Sequence, residues 1–334
     1  MTISLHRRRL LRAGLAVGVG GAGALAVTSV ARAATFPTRT VNFVVPYGAG
    51  GPFDITARLV AERMSKQLGQ TVVVDNRSGA GGMIGCTYVA RAPADGYTLL
   101  LGGLTTHILM QGAVETMPFD PMKDFTVASL LSKMPLVMVV NNDLPVKDLR
   151  GLADLLRNNP GKYDFASAGN GTSGHILAQN FVDSIGAKAV HVPYRNSVNA
   201  YTDLRGGRIA FMVQTSGSSE MRAGVVRPLA VFSDKRSPAM PQLPTVAEAG
   251  LADRVKYNLE PWQAVMVRKG TPPEIIAQLN AAVTATLADP GLQSRFDELG
   301  FVATPAPVAQ GERYFHEENR RWVPIVKAMD LVGR

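Results

Sequence analysis

The chain has 334 residues, of which 46% are hydrophobic and 18% charged, with a formal net charge of +9 and a single cysteine. Five Arg and no acid fall in the first 33 residues, so the rest carries only about +4, with no basic block interleaved with aromatics, and no nucleic-acid partner is expected. Cys86 alone allows no intramolecular disulfide and reads as a core residue, and His107, His175, His191 and His316 lack zinc-ligand spacing, so neither metal nor cofactor is expected.

The N-terminal segment reads as an export signal. Arg7, Arg8, Arg9 and Arg12 form a basic head, residues 13–27 are apolar but too short and glycine-rich to span a bilayer comfortably, and Ala31-Arg-Ala33 supplies a cleavage pattern near Ala33. The paired arginines before Leu10 and Leu11 leave twin-arginine and ordinary secretion both open. The mature protein is therefore expected in the periplasm, and 300 residues suit two domains better than one core.

Beyond the signal, short β-rich runs alternate with helical spacing, which predicts an α/β protein with largely parallel strands. Residues 40–45 read as a strand, 55–68 as a helix closed by Gly69, 71–75 as a strand, 83–89 as a short helix and 97–102 as a strand. A second unit opens with strand 136–140, followed by helix 149–158, strand 163–167, helix 175–185, strand 189–193, a helix from 199, and strands 209–213 and 226–232. The proline-rich segment 238–244 reads as a crossing back to the first unit. Helix 274–287, with Thr271 as its cap, and helix 308–329, interrupted by Pro324, complete the chain. Lobe 1 is thus expected over 34–134 and about 240–334, and lobe 2 over about 135–239.

Two strand-to-helix junctions carry the chemistry. Tyr47-Gly-Ala-Gly-Gly51 precedes a helix with Pro52 in its first turn, and Ser167-Ala-Gly-Asn-Gly-Thr-Ser173 precedes another. Each aims unpaired backbone N–H groups and the positive end of a helix at an anion. The second junction contains Gly169-x-Gly171-x-x-Gly174, but the next strand ends at His191-Val-Pro-Tyr194 without the acid that holds a ribose, so dinucleotide binding is not expected. Asp54 reads either as a helix-terminus carboxylate or as a ligand acceptor. Thr105, Thr106 and His107 follow the third strand and are candidate donors into the same crevice, as is His175. The loop 78–82 reads either as a turn or as part of the cleft lining, the turn being preferred. No Gly-x-Ser-x-Gly elbow and no Walker lysine occur, so no catalytic residue is assigned; the rival reading is an exported hydrolase acting on a carboxylate or ester, with Asp54 or His175 as its acid–base group.

Pro46-Tyr47 with Gly50-Gly51 and Asp54, Val74-Asp-Asn-Arg77 with Gly79-Ala-Gly-Gly82, Asp95-Gly-Tyr-Thr-Leu99, Pro118-Phe-Asp-Pro121, His191-Val-Pro-Tyr194, Pro244-Thr245 and Glu248-Ala-Gly250 closely resemble the tripartite tricarboxylate transporter receptor family, the Bug-type periplasmic solute-binding proteins. The resemblance covers essentially the whole mature chain. It implies a two-lobed periplasmic-binding-protein (Venus-flytrap) fold and a non-enzymatic, monomeric receptor that passes a small carboxylate to membrane permease subunits, or else reports it to a sensor ectodomain. It also implies that Gly50, Gly51, Ala168, Gly169, Gly171 and Thr172 form a main-chain clamp flanked by Tyr47, Ser167 and Ser173, with Thr105, Thr106 and Tyr194 shaping the distal pocket. Phe53, Met110, Asn196 and Ala210 depart from the family pattern; these departures imply either a more apolar distal pocket, suited to an aromatic or short-chain acid rather than citrate, or, for Met110 and Ala210, core positions.

Overall fold

The computed structural model describes residues 36–194, 197–253, 255 and 259–329; the export signal and Asn196 lie outside them. In chain order the first elements are β1 (Val41–Val45), α1 (Pro52–Leu68), β2 (Val72–Asn76), α2 (Met83–Ala90) and β3 (Thr98–Gly103). A π-helical turn (Thr105–Leu109) then runs into α3 (Met110–Ala113), followed by β4 (Phe125–Lys133). The chain next builds β5 (Leu136–Val140), α4 (Leu149–Asn158), β6 (Asp164–Ser167), α5 (Ser173–Ser184) and β7 (Val190–Pro193). It continues with α6 (Ser197–Arg205), β8 (Phe211–Thr215), α7 (Ser219–Arg222) and β9 (Arg227–Val231). The last part supplies β10 (Trp262–Arg268), α8 (Pro273–Leu287), α9 (Pro290–Leu299), β11 (Val302–Ala303) and α10 (Val308–Ala328).

Two sheets result, in the order β11-β4-β10-β3-β1-β2 and β7-β6-β8-β5-β9. They form the cores of two lobes. Each sheet is mixed rather than largely parallel. β1 pairs parallel with β2 and β3, but β10 runs antiparallel to β3 and β4; in the second sheet β6 is parallel to β7 and β8, whereas β5 is antiparallel to β8 and β9. The antiparallel pairs follow from connectivity. β5 and β10 are the first strands laid down after the chain changes sheet, and neither is reached through the helical crossover that enforces parallel pairing.

Both faces of each sheet are covered, which explains why the strands are apolar runs instead of alternating ones. Val41, Phe43 and Val45 pack with Leu99, Leu101, Val265 and the inner faces of α1 and α8, while Val44, Leu100 and Met266 point to the opposite face. In β5, Val137 and Val139 face the α6 side and Leu136, Met138 and Val140 face α4 and α5. The cluster containing Val44 and Leu100 continues to Leu136 and Phe165, so one apolar core ties the two lobes together. Each large side chain in it contributes about 1.5–3 kcal/mol relative to exposure.

Several boundaries differ from expectation for local reasons. Pro272 takes the N-cap of α8, and Thr271 instead donates its hydroxyl to the Arg268 carbonyl at 2.8 Å. Thr245 forms a parallel bridge with Val231, so the segment after the prolines still runs beside the second sheet. β4, β10 and α9 were not among the predicted elements. In α9, Asp289 caps Leu292 N–H at 2.8 Å and Pro290 opens the helix, a readable start signal.

Candidate functional site

The loops after β1, β2, β3 and β6 leave the C-terminal ends of parallel strands, where open α/β sheets gather ligands. Contacts show that they meet. Thr105 Oγ1 on the π-helical turn lies 3.1 Å from Ser173 Oγ at the start of α5, in the other lobe. Gly171 packs so closely on α3 that a Cβ there would run into the Cβ of Ala113 and sit 3.4 Å from Met110 Sδ. Met110 also abuts Gly81, and a Cβ on Gly82 would meet Thr106 Cγ2 at 2.8 Å and the Tyr47 ring at 3.4 Å. The loop 78–82 therefore packs against the same cleft-side residues, the second of the two roles its sequence allows.

On the first lobe, α1 starts at Gly51 without a side-chain cap. Asp54, 3% exposed, accepts from Gly50 N–H at 2.9 Å, Asn76 Nδ2 at 3.0 Å and Arg58 at 2.9–3.0 Å. Burial alone would raise its pKa, but the bonds from Arg58, Gly50 and Asn76 outweigh it and hold the carboxyl below its ordinary value. Asn76 also donates to Tyr47 O at 3.0 Å, so it ties the loop to the end of β2. In this conformation the Gly50 amide and the Asp54 carboxylate satisfy one another. The Tyr47 ring packs edge-on against Phe53, centroids 4.8 Å apart.

On the second lobe, Thr172 caps α5 by accepting from His175 N–H, and its own hydroxyl donates to Gly169 O at 2.8 Å. The first-turn amides of Ser173 and Gly174 belong to the set that a helix leaves without an intrahelical partner. Ser167, 1% exposed, is tied into its own loop by bonds to Gly169 and lies 2.7 Å from His191 Nε2. Gly171 N–H donates to His175 Nδ1 at 3.1 Å, which takes that amide out of the expected clamp in this conformation. With a φ of +71° at Gly171, an L side chain would also be strained.

The remaining candidates divide. Thr105 reaches across to the second lobe, whereas Thr106, 1% exposed, turns inward to Gly103 O and His107 Nδ1. His107 is fully buried among Phe119, Phe125 and Phe315, and desolvation lowers its pKa to about 3. Tyr194 N–H donates to Ser167 O at 2.9 Å, but its hydroxyl turns to Asp203 at 2.6 Å. Ala168 is half-buried in the same loop. Ala210 stands at the end of β8 away from the cleft, its N–H bonded to Asp164 O at the start of β6, so it belongs to the core and not to a distal pocket. Sequence reading missed Arg58 and Asn76 as loop anchors; the i,i+4 spacing of Asp54 and Arg58 was the available signal. A separate cavity of about 320 Å³ beside the interlobe connections is lined by Lys133, Asp234, Glu260, Tyr314, Glu318 and Arg321, with Lys133 paired to Glu260 at 3.1 Å, and contains none of the glycine-loop residues.

The profile of the tripartite tricarboxylate transporter family receptor matches residues 56–331. The chain belongs to that family, the Bug-type periplasmic solute-binding proteins. It is 34% identical to BugT of Bordetella pertussis over 97% of this chain and 98% of that one. Among solved structures, an R. palustris protein with adipate is 34% identical, with a TM-score of 0.81 over 88% of this chain and 98% of that one. MatC from Rhodopseudomonas palustris with bound malate is 32% identical, with a TM-score of 0.78 over 87% and 100% respectively. The receptor family and these likenesses establish the two-lobed periplasmic-binding-protein fold.

Proposed function

We propose that the protein is exported, processed near Ala33, and captures a small organic carboxylate between its lobes for delivery to the permease of a tripartite transporter. The observation that supports this reading is that the turn at 105–106 touches both glycine junctions: Thr105 meets Ser173 at the start of α5, while Thr106 and Tyr47 of the first glycine loop pack together on Gly82. A helix start stabilises a nearby anion by about 0.3–1 kcal/mol when exposed and up to about 2 when partly buried, so two acting together offset part of the cost of desolvating one carboxylate, and hydrogen bonds from loop amides must supply the rest. The adipate and malate found in two family members are both dicarboxylates, which supports the ligand class. Met110, 5% exposed, packs between Gly81 and Gly171 and so fills the space between the two glycine loops with an apolar side chain, which supports a ligand with an aliphatic or aromatic body over citrate only where closure leaves that side chain at the ligand's edge. Binding without turnover is expected, since a receptor need only favour the closed conformation.

Calorimetry against mono-, di- and tricarboxylates, combined with native mass spectrometry of the protein as purified, tests the reading. At least one acid should bind and be recovered unchanged. Silence across the panel, aromatic acids included, or conversion of the bound acid, would overturn it.

A further inference from the structure

Outside the contacts already described, the feature with the most unusual geometry is an imidazole stack beneath the second glycine loop. The rings of His175 and His191 lie 3.7 Å apart at their centroids and 10° from parallel. Phe165 extends the stack 5.0 Å from His191, and Phe211 follows 5.5 Å beyond it, both at 24°. Each histidine holds a different end of the loop: His191 Nε2 is 2.7 Å from Ser167 Oγ, and His175 Nδ1 accepts Gly171 N–H at 3.1 Å.

We propose that His175 and His191 are positioning residues that brace the loop 167–171 from both ends and so set the direction of its remaining amides, without either ring touching the ligand. The inference rests on the carboxylate-receptor reading. It replaces direct contact by His175 with an indirect role, because His175 is 2% exposed and its Nδ1 is committed to Gly171. Accepting that bond places the proton of neutral His175 on Nε2. Two rings in van der Waals contact stack only while at least one is uncharged, and burial keeps both neutral near pH 7: desolvation lowers His175 to about 4, and desolvation with the nearby His175 lowers His191 to about 3. The charged groups on the surrounding elements are placed elsewhere. Asp203 on α6 is held by Tyr194 and Arg208, Asp183 on α5 by Gln179, Asp164 begins β6 at the end opposite the loop, and Lys188 precedes β7; β8 carries no charge.

The test begins without ligand. Nitrogen NMR of the full chain should show His175 with an unprotonated Nδ1, and the Gly171 amide should be protected from exchange. In His175→Ala that protection should fall by about tenfold or more, and in His175→Asn, whose Oδ1 can take the place of Nδ1, it should largely return. Affinity for adipate or malate should follow the same order, about tenfold weaker for Ala and within about threefold for Asn. His191→Gln should likewise outperform His191→Ala. Unchanged Gly171 exchange in His175→Ala, or a folded His175→Asn protein that protects Gly171 no better than the Ala variant, overturns the brace. Should His175→Ala fail to fold, the Asn variant is read against wild type, and a Gly171 amide that exchanges about tenfold faster or more in it overturns the brace. If wild-type protein binds no carboxylate, the receptor reading fails while the exchange data still decide the brace.

Discussion

Thr105 Oγ1 and Ser173 Oγ meet 3.1 Å apart, one carried on the turn that follows β3 of the first sheet, the other on the first residue of α5 in the second. A hydroxyl pair in that position joins the lobes directly at the cleft. A single neutral hydrogen bond contributes about 0.5–1.5 kcal/mol, so Thr105→Val or Ser173→Ala should each weaken carboxylate binding by about 2- to 10-fold. The double variant should be no weaker than the worse single one, because both remove the same contact. Additive losses in a calorimetric double-mutant cycle would show that the pair is not formed in the liganded protein.

Gly171→Val should abolish ligand binding while the protein still folds, with stability lowered by the roughly 1–3 kcal/mol that the strained φ costs. The reason is closure as much as access, because the new side chain would be driven into Ala113 across the cleft and φ of +71° disfavours a β-branched residue. The lobes can relieve that clash by separating. X-ray scattering should therefore show an expanded variant that no longer contracts with adipate or malate; contraction and normal affinity would remove Gly171 from the interlobe contact.

Much of the fold was legible because local signals agreed with the tertiary outcome. Pro52 after Gly51, the apolar spacing through Val60 and Met64, and Gly69 at the end mark α1 without any structural knowledge. β4 and β10 escaped because they pair with each other across a wide sequence separation: Trp262 pairs with Lys133, and the whole second sheet with its helices lies between them in the chain. The two glycine junctions were legible from residue type alone. Their internal bonding was not, since Asn76 reaching Tyr47 and Asp54, or His175 reaching Gly171, depends on how strands lie side by side. Ala210, open from sequence between a pocket position and a core residue, is placed by β8 at the opposite end of the sheet and belongs to the core.

Asp54→Ala should lower stability before it alters specificity. The carboxylate is the acceptor for Gly50 N–H and Asn76 Nδ2, and its loss should cost about 1.5–3 kcal/mol in urea unfolding; the half-exposed Arg58 adds little to that figure because solvent screens it. Its pKa is depressed in the native state, so this stabilisation is present above the ordinary carboxylate pKa of 3.8 and is lost as pH falls below it. The wild-type and variant stability curves should consequently converge toward acid pH. A constant gap down to pH 3 would show that the Asp54 charge is not what stabilises the loop.

The buried histidines set a second and higher acid limit. His107, His175 and His191 are held neutral by desolvation, with pKa values lowered from 6.5 to about 3, about 4 and about 3. The unfolded chain takes up protons as pH falls through 6.5 and the native state lags behind, so stability is full above 6.5 and declines on acidification until the native values are reached. Each such histidine steepens the decline by about 1.4 kcal/mol per pH unit between those limits. Substituting His175→Asn removes one titrating group while keeping an acceptor for Gly171. Unfolding free energies measured from pH 7 to pH 4.5 should fall less steeply in the variant by about that amount, and parallel curves for the two proteins would show that His175 is already protonated in the native state.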